Sequence, residues 1–132
     1  MLVVDSSVWI DFFRGTVDVR TDELGRLLHS SDVRIVVPDL VLFEVLRGFR
    51  QDSEHRRARG LLEVFGIEAT GGAALAVSAA EHHRALRALG RTVRGPLDAL
   101  IAAHCIDRDY LLLHNDRNFR GNNTVPTSGK CR

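Results

Sequence analysis

Four carboxylates occupy positions where an acid needs a reason. Asp5 follows directly on Leu2-Val3-Val4, an apolar run too short for a helix that reads as a buried strand. Asp116 comes just after a second strand candidate at residues 110–113. In open α/β sheets, ligands bind outside the carboxyl ends of the strands, so two parallel central strands would aim both acids into one crevice. A single strand-end Asp is equally well explained as a helix cap or turn residue, but two acids in matching positions weaken that explanation. Glu44 sits among Leu40, Val41, Leu42, Phe43, Val45 and Leu46. A carboxylate in so apolar a helix is costly to bury unless it is paired or bound to a cation. The plainer alternative is a solvent-side ion pair with Arg47, three residues on. Gly48, one turn on, is a poor helix former that would leave space beside the carboxylate. Asp98 follows Gly95-Pro96-Leu97 and falls in the first turn of a helical run. The helix dipole favours an acid there, and the same turn could offer a metal ligand.

Together the four acids describe one chemistry. Magnesium takes hard oxygen ligands and keeps several waters. Held by carboxylates, it can activate a water and stabilise charge developing on a phosphoryl oxygen. Without a cation, three or four clustered carboxylates repel one another and some stay protonated. A zinc site has no support, because no CxxC or His/Cys pattern is present. Cys105 lies in an apolar helical run as a small core residue, Cys131 lies in a polar segment, and two cysteines make no disulfide framework.

The elements that must position these acids alternate in type. After the strand at residues 2–4, Ser6 or Ser7 can cap a helix carrying Val8, Trp9, Ile10, Phe12 and Phe13, which Gly15 ends. Residues 21–29 have helical spacing, and residues 33–37 form a second buried strand stopped by Pro38, which can open the next helix. Helices follow at 40–49 and 52–65, a short strand at 66–69, an alanine-rich helix at 73–89 and a loop at 90–95. Pro96 opens a helix to about 108, and the strand at 110–113 comes last. Beyond residue 120 the chain is polar and reads as a tail or a weak edge strand near Thr124 and Val125. This alternation predicts a three-layer α/β fold, with a mainly parallel central sheet and helices on both faces.

A length of 132 residues with 45% hydrophobic content suits one compact domain over 1–132. The formal charge of +1 argues neither for nor against a nucleic-acid partner. Lys130 is the only lysine; arginine's planar fork suits phosphate, although G+C-rich codon usage gives the same bias. An acid at position 5 is unlike a signal peptide, and no apolar run reaches membrane-spanning length. The expected compartment is a reducing cytoplasm.

The motifs themselves are familiar. Val3-Val4-Asp5-Ser6-Ser7-Val8-Trp9-Ile10, Leu42-Phe43-Glu44-Val45-Leu46-Arg47-Gly48, Pro96-Leu97-Asp98-Ala99-Leu100-Ile101-Ala102-Ala103 and Leu112-Leu113-His114-Asn115-Asp116-Arg117-Asn118-Phe119 resemble, in order and spacing, the four motifs of PIN-domain proteins. Among these they are similar to the VapC toxins of bacterial toxin–antitoxin pairs. The resemblance covers the chain to about Phe119. It implies an endoribonuclease dependent on Mg2+ or Mn2+, homodimeric, and held inactive by a VapB-like antitoxin. It makes Asp5, Asp98 and Asp116 metal ligands, with Glu44 completing the acidic site and Ser7 at a supporting hydroxyl position. Two departures stand out. Asn118 stands where many relatives carry a second Asp, and the segment after Phe119 is short and unlike the usual final strand.

Other residues fill lesser roles. Arg91 and Arg94 flank a glycine-bounded loop before Asp98 and are candidates for phosphate contacts, with an ordinary exposed loop as the alternative. His114, and Asn115 beside it, could touch substrate. His82 and His83 read as a solvated helix face, His104 as a partly buried helix residue, and Trp9 as core or dimer interface. The apolar content at residues 9–13 and 40–49 exceeds what one small core readily covers, which favours a dimer.

Competing readings are weaker. A structure-specific DNA nuclease or an RNA-processing nuclease would use the same acids, but the chain is short and shows no added DNA-binding module. Haloacid-dehalogenase-like phosphatases need Asp-x-Asp after the first strand, where position 7 is Ser. Response-regulator receivers need a lysine after the last strand, and Lys130 is misplaced for that. An idle PIN-like binding module would not need all four acids.

Overall fold

The computed structural model describes residues 1–91 and 95–114. Four strands, β1 (Leu2–Val4), β2 (Ile35–Pro38), β3 (Ile67–Glu68) and β4 (Leu111–Leu113), form one sheet in the order β3-β2-β1-β4. Every pairing is parallel, with Leu2 opposite both Ile35 and Leu111, and Pro38 opposite Glu68. All of β1 and β2 is buried. Such uninterrupted Val/Ile/Leu runs are what a sheet covered on both faces requires.

Each crossover carries two helices: α1 (Ser6–Phe13) and α2 (Val19–Leu28), then α3 (Asp39–Leu46) and α4 (Asp52–Val64), then α5 (Ala73–Ala88) and α6 (Pro96–Arg108). The first two crossovers step one way from β1, and the third returns past β1 to its other side. Right-handed crossovers then place α1–α4 on one face and the third pair on the other. Helix α6 sets Ile101 and Cys105 into the main core with Val3, Val37 and Leu113. Helix α5 packs on α6 through Leu75, Ala79 and Ala103. The expected three-layer α/β architecture is the one found.

Local chemistry explains where the element ends fall. Helix α2 begins at Val19, earlier than periodicity predicts, because Asp18 and Thr21 form a reciprocal capping box. Helix α3 stops at Leu46 and not Phe49, closing in a tight turn in which Gly48 N–H donates to the Val45 carbonyl. A Cβ at Gly48 would meet that carbonyl oxygen at 3.4 Å and Ile10 Cδ1 at 3.7 Å. These are ordinary van der Waals contacts, and the space a side chain would take at position 48 borders backbone and Ile10, not the Glu44 carboxylate. Asp109 takes a left-handed φ of 56° at the end of α6 and turns the chain into β4.

Two residues weighed from sequence settle into the interior. Trp9 is fully buried, stacked on Phe13 at 5.9 Å and near Phe65 at 6.1 Å. With Trp9 and Phe13 buried and Ile10 and Phe12 half-buried against the same core, the apolar residues of α1 are used within the chain. They do not supply the surplus that favoured a dimer. His104 is fully buried and not partly so; its Nε2 lies 2.7 Å from Glu68 Oε1. The Tyr110 hydroxyl donates to the same carboxylate at 3.0 Å. Among the described residues no helix is long and apolar enough to cross a membrane.

Candidate active site

The site begins where β1 and β4 end side by side. Val4 is paired with Leu113, and the Asp5 amide donates to the Leu113 carbonyl at 2.8 Å. Asp5 is the first residue off the central strand and the N-cap of α1. Ser6 or Ser7 was the expected cap. Because Asp5 takes that place, both serine hydroxyls are released for other partners. Ser7 donates to Asp5 Oδ2 through its hydroxyl at 2.7 Å and its amide at 3.4 Å. Ser6 reaches across to α3 and donates to Glu44 Oε1 at 2.9 Å. The cap reading of Asp5 is thus correct, and it uses only one of the two carboxylate oxygens.

The other oxygen, Asp5 Oδ1, is buried and has no hydrogen-bond partner among the described residues. Asp5 as a whole is 2% exposed. Burial pushes its carboxyl above the ordinary carboxylate range; the Ser7 hydroxyl and amide oppose this, and the nearby Glu44 charge adds to the upward push. An orphaned buried acceptor is costly unless something positive or protic meets it. A divalent cation fits that requirement, as do the hard oxygen donors around it.

Glu44 is half-buried on α3. The ion pair with Arg47 exists, but at 3.9 Å, and the Arg47 side chain is 61% exposed. Such a pair contributes little, so the Ser6 hydroxyl is the stronger constraint on Glu44. Asp98, buried in the first turn of α6, faces the same space. Phe43, Glu44, Arg47, Gly95, Pro96, Leu97 and Asp98 line a cleft of ≈ 410 Å³. Two acids from α3 and α6 thus share a cleft, and the third, Asp5, is in electrostatic contact with Glu44. Among the described residues no three metal-ligating side chains close on one point.

The remaining expected site residues divide three ways. Asp116, Arg94, Asn115 and Asn118 lie outside the described residues, as do Cys131 and the possible edge strand near Thr124. Arg91 is exposed just past α5, its amide bonded to the Leu86 carbonyl. His114 is buried at 1% exposed, and its carbonyl accepts from Arg20 Nε at 2.8 Å. Sequence reasoning missed Ser6, Phe43 and Arg47. The available signal for the last two was their flanking of Glu44 on one helix.

A family model described as "PIN domain" matches residues 2–123. "Ribonuclease VapC11" of Mycobacterium tuberculosis and "VapC ribonuclease Mb1587" of Mycobacterium bovis are each 32% identical over 119 residues, covering 90% of this chain and 89% of the relative. Among solved structures, VapBC2 from Rickettsia felis bound to a promoter DNA fragment has a TM-score of 0.73 at 18% identity, covering 91% of each chain. The Mycobacterium tuberculosis toxin VapC20, described as cleaving the sarcin–ricin loop, has a TM-score of 0.71 at 20% identity, covering 97% of this chain and 99% of that one. A family model over most of the chain and relatives 32% identical over nine-tenths of it lead to one conclusion: the chain belongs to the PIN-domain family.

Proposed function

We propose that the chain is a divalent-metal-dependent endoribonuclease that acts as the toxin of a toxin–antitoxin pair. The observation that carries this reading is the buried, unbonded Oδ1 of Asp5 at the end of the central strand, beside Glu44 and the cleft it shares with Asp98. Asp5, Asp98 and Asp116 would hold the cation, which when bound supplies an activated water and neutralises charge on the phosphoryl oxygens. Mg2+ or Mn2+ suits an all-oxygen donor set. Ser7 holds Asp5 through Oδ2, and Oδ1 would be the oxygen offered to the cation. Ser6 fixes Glu44 through Oε1, so Oε2 can take up the proton that the attacking water releases. Hydrolysis joins that water oxygen to phosphorus and expels a ribose oxygen, giving one phosphate end and one hydroxyl end.

The biological setting is our inference from the likeness to VapC ribonucleases, with a VapBC2 structure bound to promoter DNA among the similar folds. A VapB-like antitoxin is the proposed protein partner, a homodimer the proposed assembly, and the cytoplasm the proposed compartment. The whole of 1–132 would act as one PIN domain. Arg91 and Arg94 remain proposed phosphate contacts.

The test is cleavage of single-stranded RNA with Mg2+ or Mn2+, against the same reaction in EDTA. Asp5→Asn, Glu44→Gln, Asp98→Asn and Asp116→Asn should each cut the rate by ~10²-fold or more. Cleavage that survives EDTA, or that Asp98→Asn leaves intact, would defeat the mechanism.

A further inference from the structure

Phe43 is 56% exposed, while Trp9 and Phe13 are buried and Phe12, Phe49, Phe65 and Tyr110 are at least half-buried. Among the described residues it is the aromatic side chain most open to solvent. It is also at the rim of the acid cleft, immediately before Glu44. Arg47, one helical turn on, lies with its guanidinium carbon 5.8 Å from the Phe43 ring centroid and lines the same cleft. Its charge is not used up: the pair with Glu44 is 3.9 Å long and the side chain is 61% exposed, so drawing it away costs little.

An exposed ring and an exposed guanidinium on one helix face, flanking an acid proposed to act on phosphodiesters, match the two halves of a nucleotide. Unpaired bases stack on aromatic faces, and arginine meets phosphate with its planar fork. We infer that Phe43 and Arg47 form a nucleotide-binding clamp for single-stranded RNA. A base next to the scissile bond stacks on Phe43, and a backbone phosphate is met by Arg47. The Ser6 hydrogen bond makes this compatible with catalysis, because it holds Glu44 Oε1 while Arg47 turns outward to the strand. The clamp favours unpaired over duplex RNA, since a base inside a helix offers no free face.

This inference rests on the ribonuclease reading, but binding tests it separately. The probe is a fluorescently labelled single-stranded oligoribonucleotide, followed by anisotropy in EDTA, with cleavage assayed in parallel under Mg2+. Phe43→Ala should weaken binding about 10-fold and lower kcat/KM by a similar factor, carried mainly by KM. Phe43→Trp should restore both. Arg47→Ala should weaken binding about equally across sequences and reduce the slope of log K against log salt by roughly 0.7. Val77→Ala, an exposed apolar control on α5, should leave binding as it is. Binding that Phe43→Ala leaves intact would overturn the clamp. So would a loss of dimer by light scattering with KM unmoved, which would make Phe43 an interface residue. Wild-type protein that binds the oligonucleotide through Phe43 but never cuts it would defeat the nuclease reading and leave the clamp standing.

Discussion

At Asp5 a carboxylate is held by two donors on one oxygen while the other oxygen lies buried and unbonded. Its pKa is raised in the folded chain, which is the reverse of the usual carboxylate case. The sign follows: above the unfolded value of 3.8 the native state binds more protons than the unfolded one, so stability falls as pH rises. The penalty is absent below 3.8 and complete once pH exceeds the raised folded value. Asparagine caps helices as well as aspartate does, so Asp5→Asn removes the charge and keeps the cap. In EDTA at neutral pH the variant should melt higher than wild type, by about 1 kcal/mol or a few degrees. The difference should vanish when melting is repeated near pH 3. A variant that melts lower at neutral pH would show that the cap, not the charge, dominates. Added Mn2+ should then raise the wild-type midpoint more than the variant's, since the ion binds the native site and not the unfolded chain. The acids were legible at this scale because an acid beside Val4 or inside Leu42-Phe43-Glu44-Val45 breaks a local apolar pattern. Ser6 was not, because its partner lies 38 positions away and no local pattern encodes it.

Between elements, Glu68 is the joint that ties β3 to α6 and to the entry of β4. It meets His104 at 2.7 Å, the Tyr110 hydroxyl at 3.0 Å and Arg108 at 3.7 Å. His104 is fully buried, so losing this partner strands a polar ring in the core. Glu68→Ala should cost about 1–3 kcal/mol by urea denaturation, and Glu68→Gln, which keeps an acceptor, markedly less. Equal losses for the two would mean that charge and not hydrogen bonding holds the joint. Element types were readable from periodicity, whereas their ends were set by side-chain details. Thr21 closing the Asp18 box moved the start of α2, and the turn at Gly48 moved the end of α3. The burial of His104 was invisible for the same reason as the bond of Ser6, because Glu68 is distant in sequence.

For the molecule as a whole, alternation of strands and helices gave the α/β class, but nothing local says which strands become neighbours. The order puts β1 at the centre, between β2 and β4. Residues of the core cluster it belongs to should be expensive to trim. Leu62, fully buried, should cost about 2–5 kcal/mol as Leu62→Ala, read from the shift in urea midpoint, and a cost under 1 kcal/mol would mean the layer on that face is loosely packed. The register of β1 against β4, Leu2 opposite Leu111, also governs timing during synthesis. At roughly 5–20 residues per second, the first strand waits about 5–20 s on the ribosome before its partner exists. Until then one edge of β1 stays unpaired, a hazard for association with other chains. The backbone bond that seats Asp5, from its amide to Leu113, cannot form in that interval either. A growing chain therefore carries Asp5 and Glu44 without an assembled cleft, and any activity the cleft possesses is delayed until Leu113 has been made.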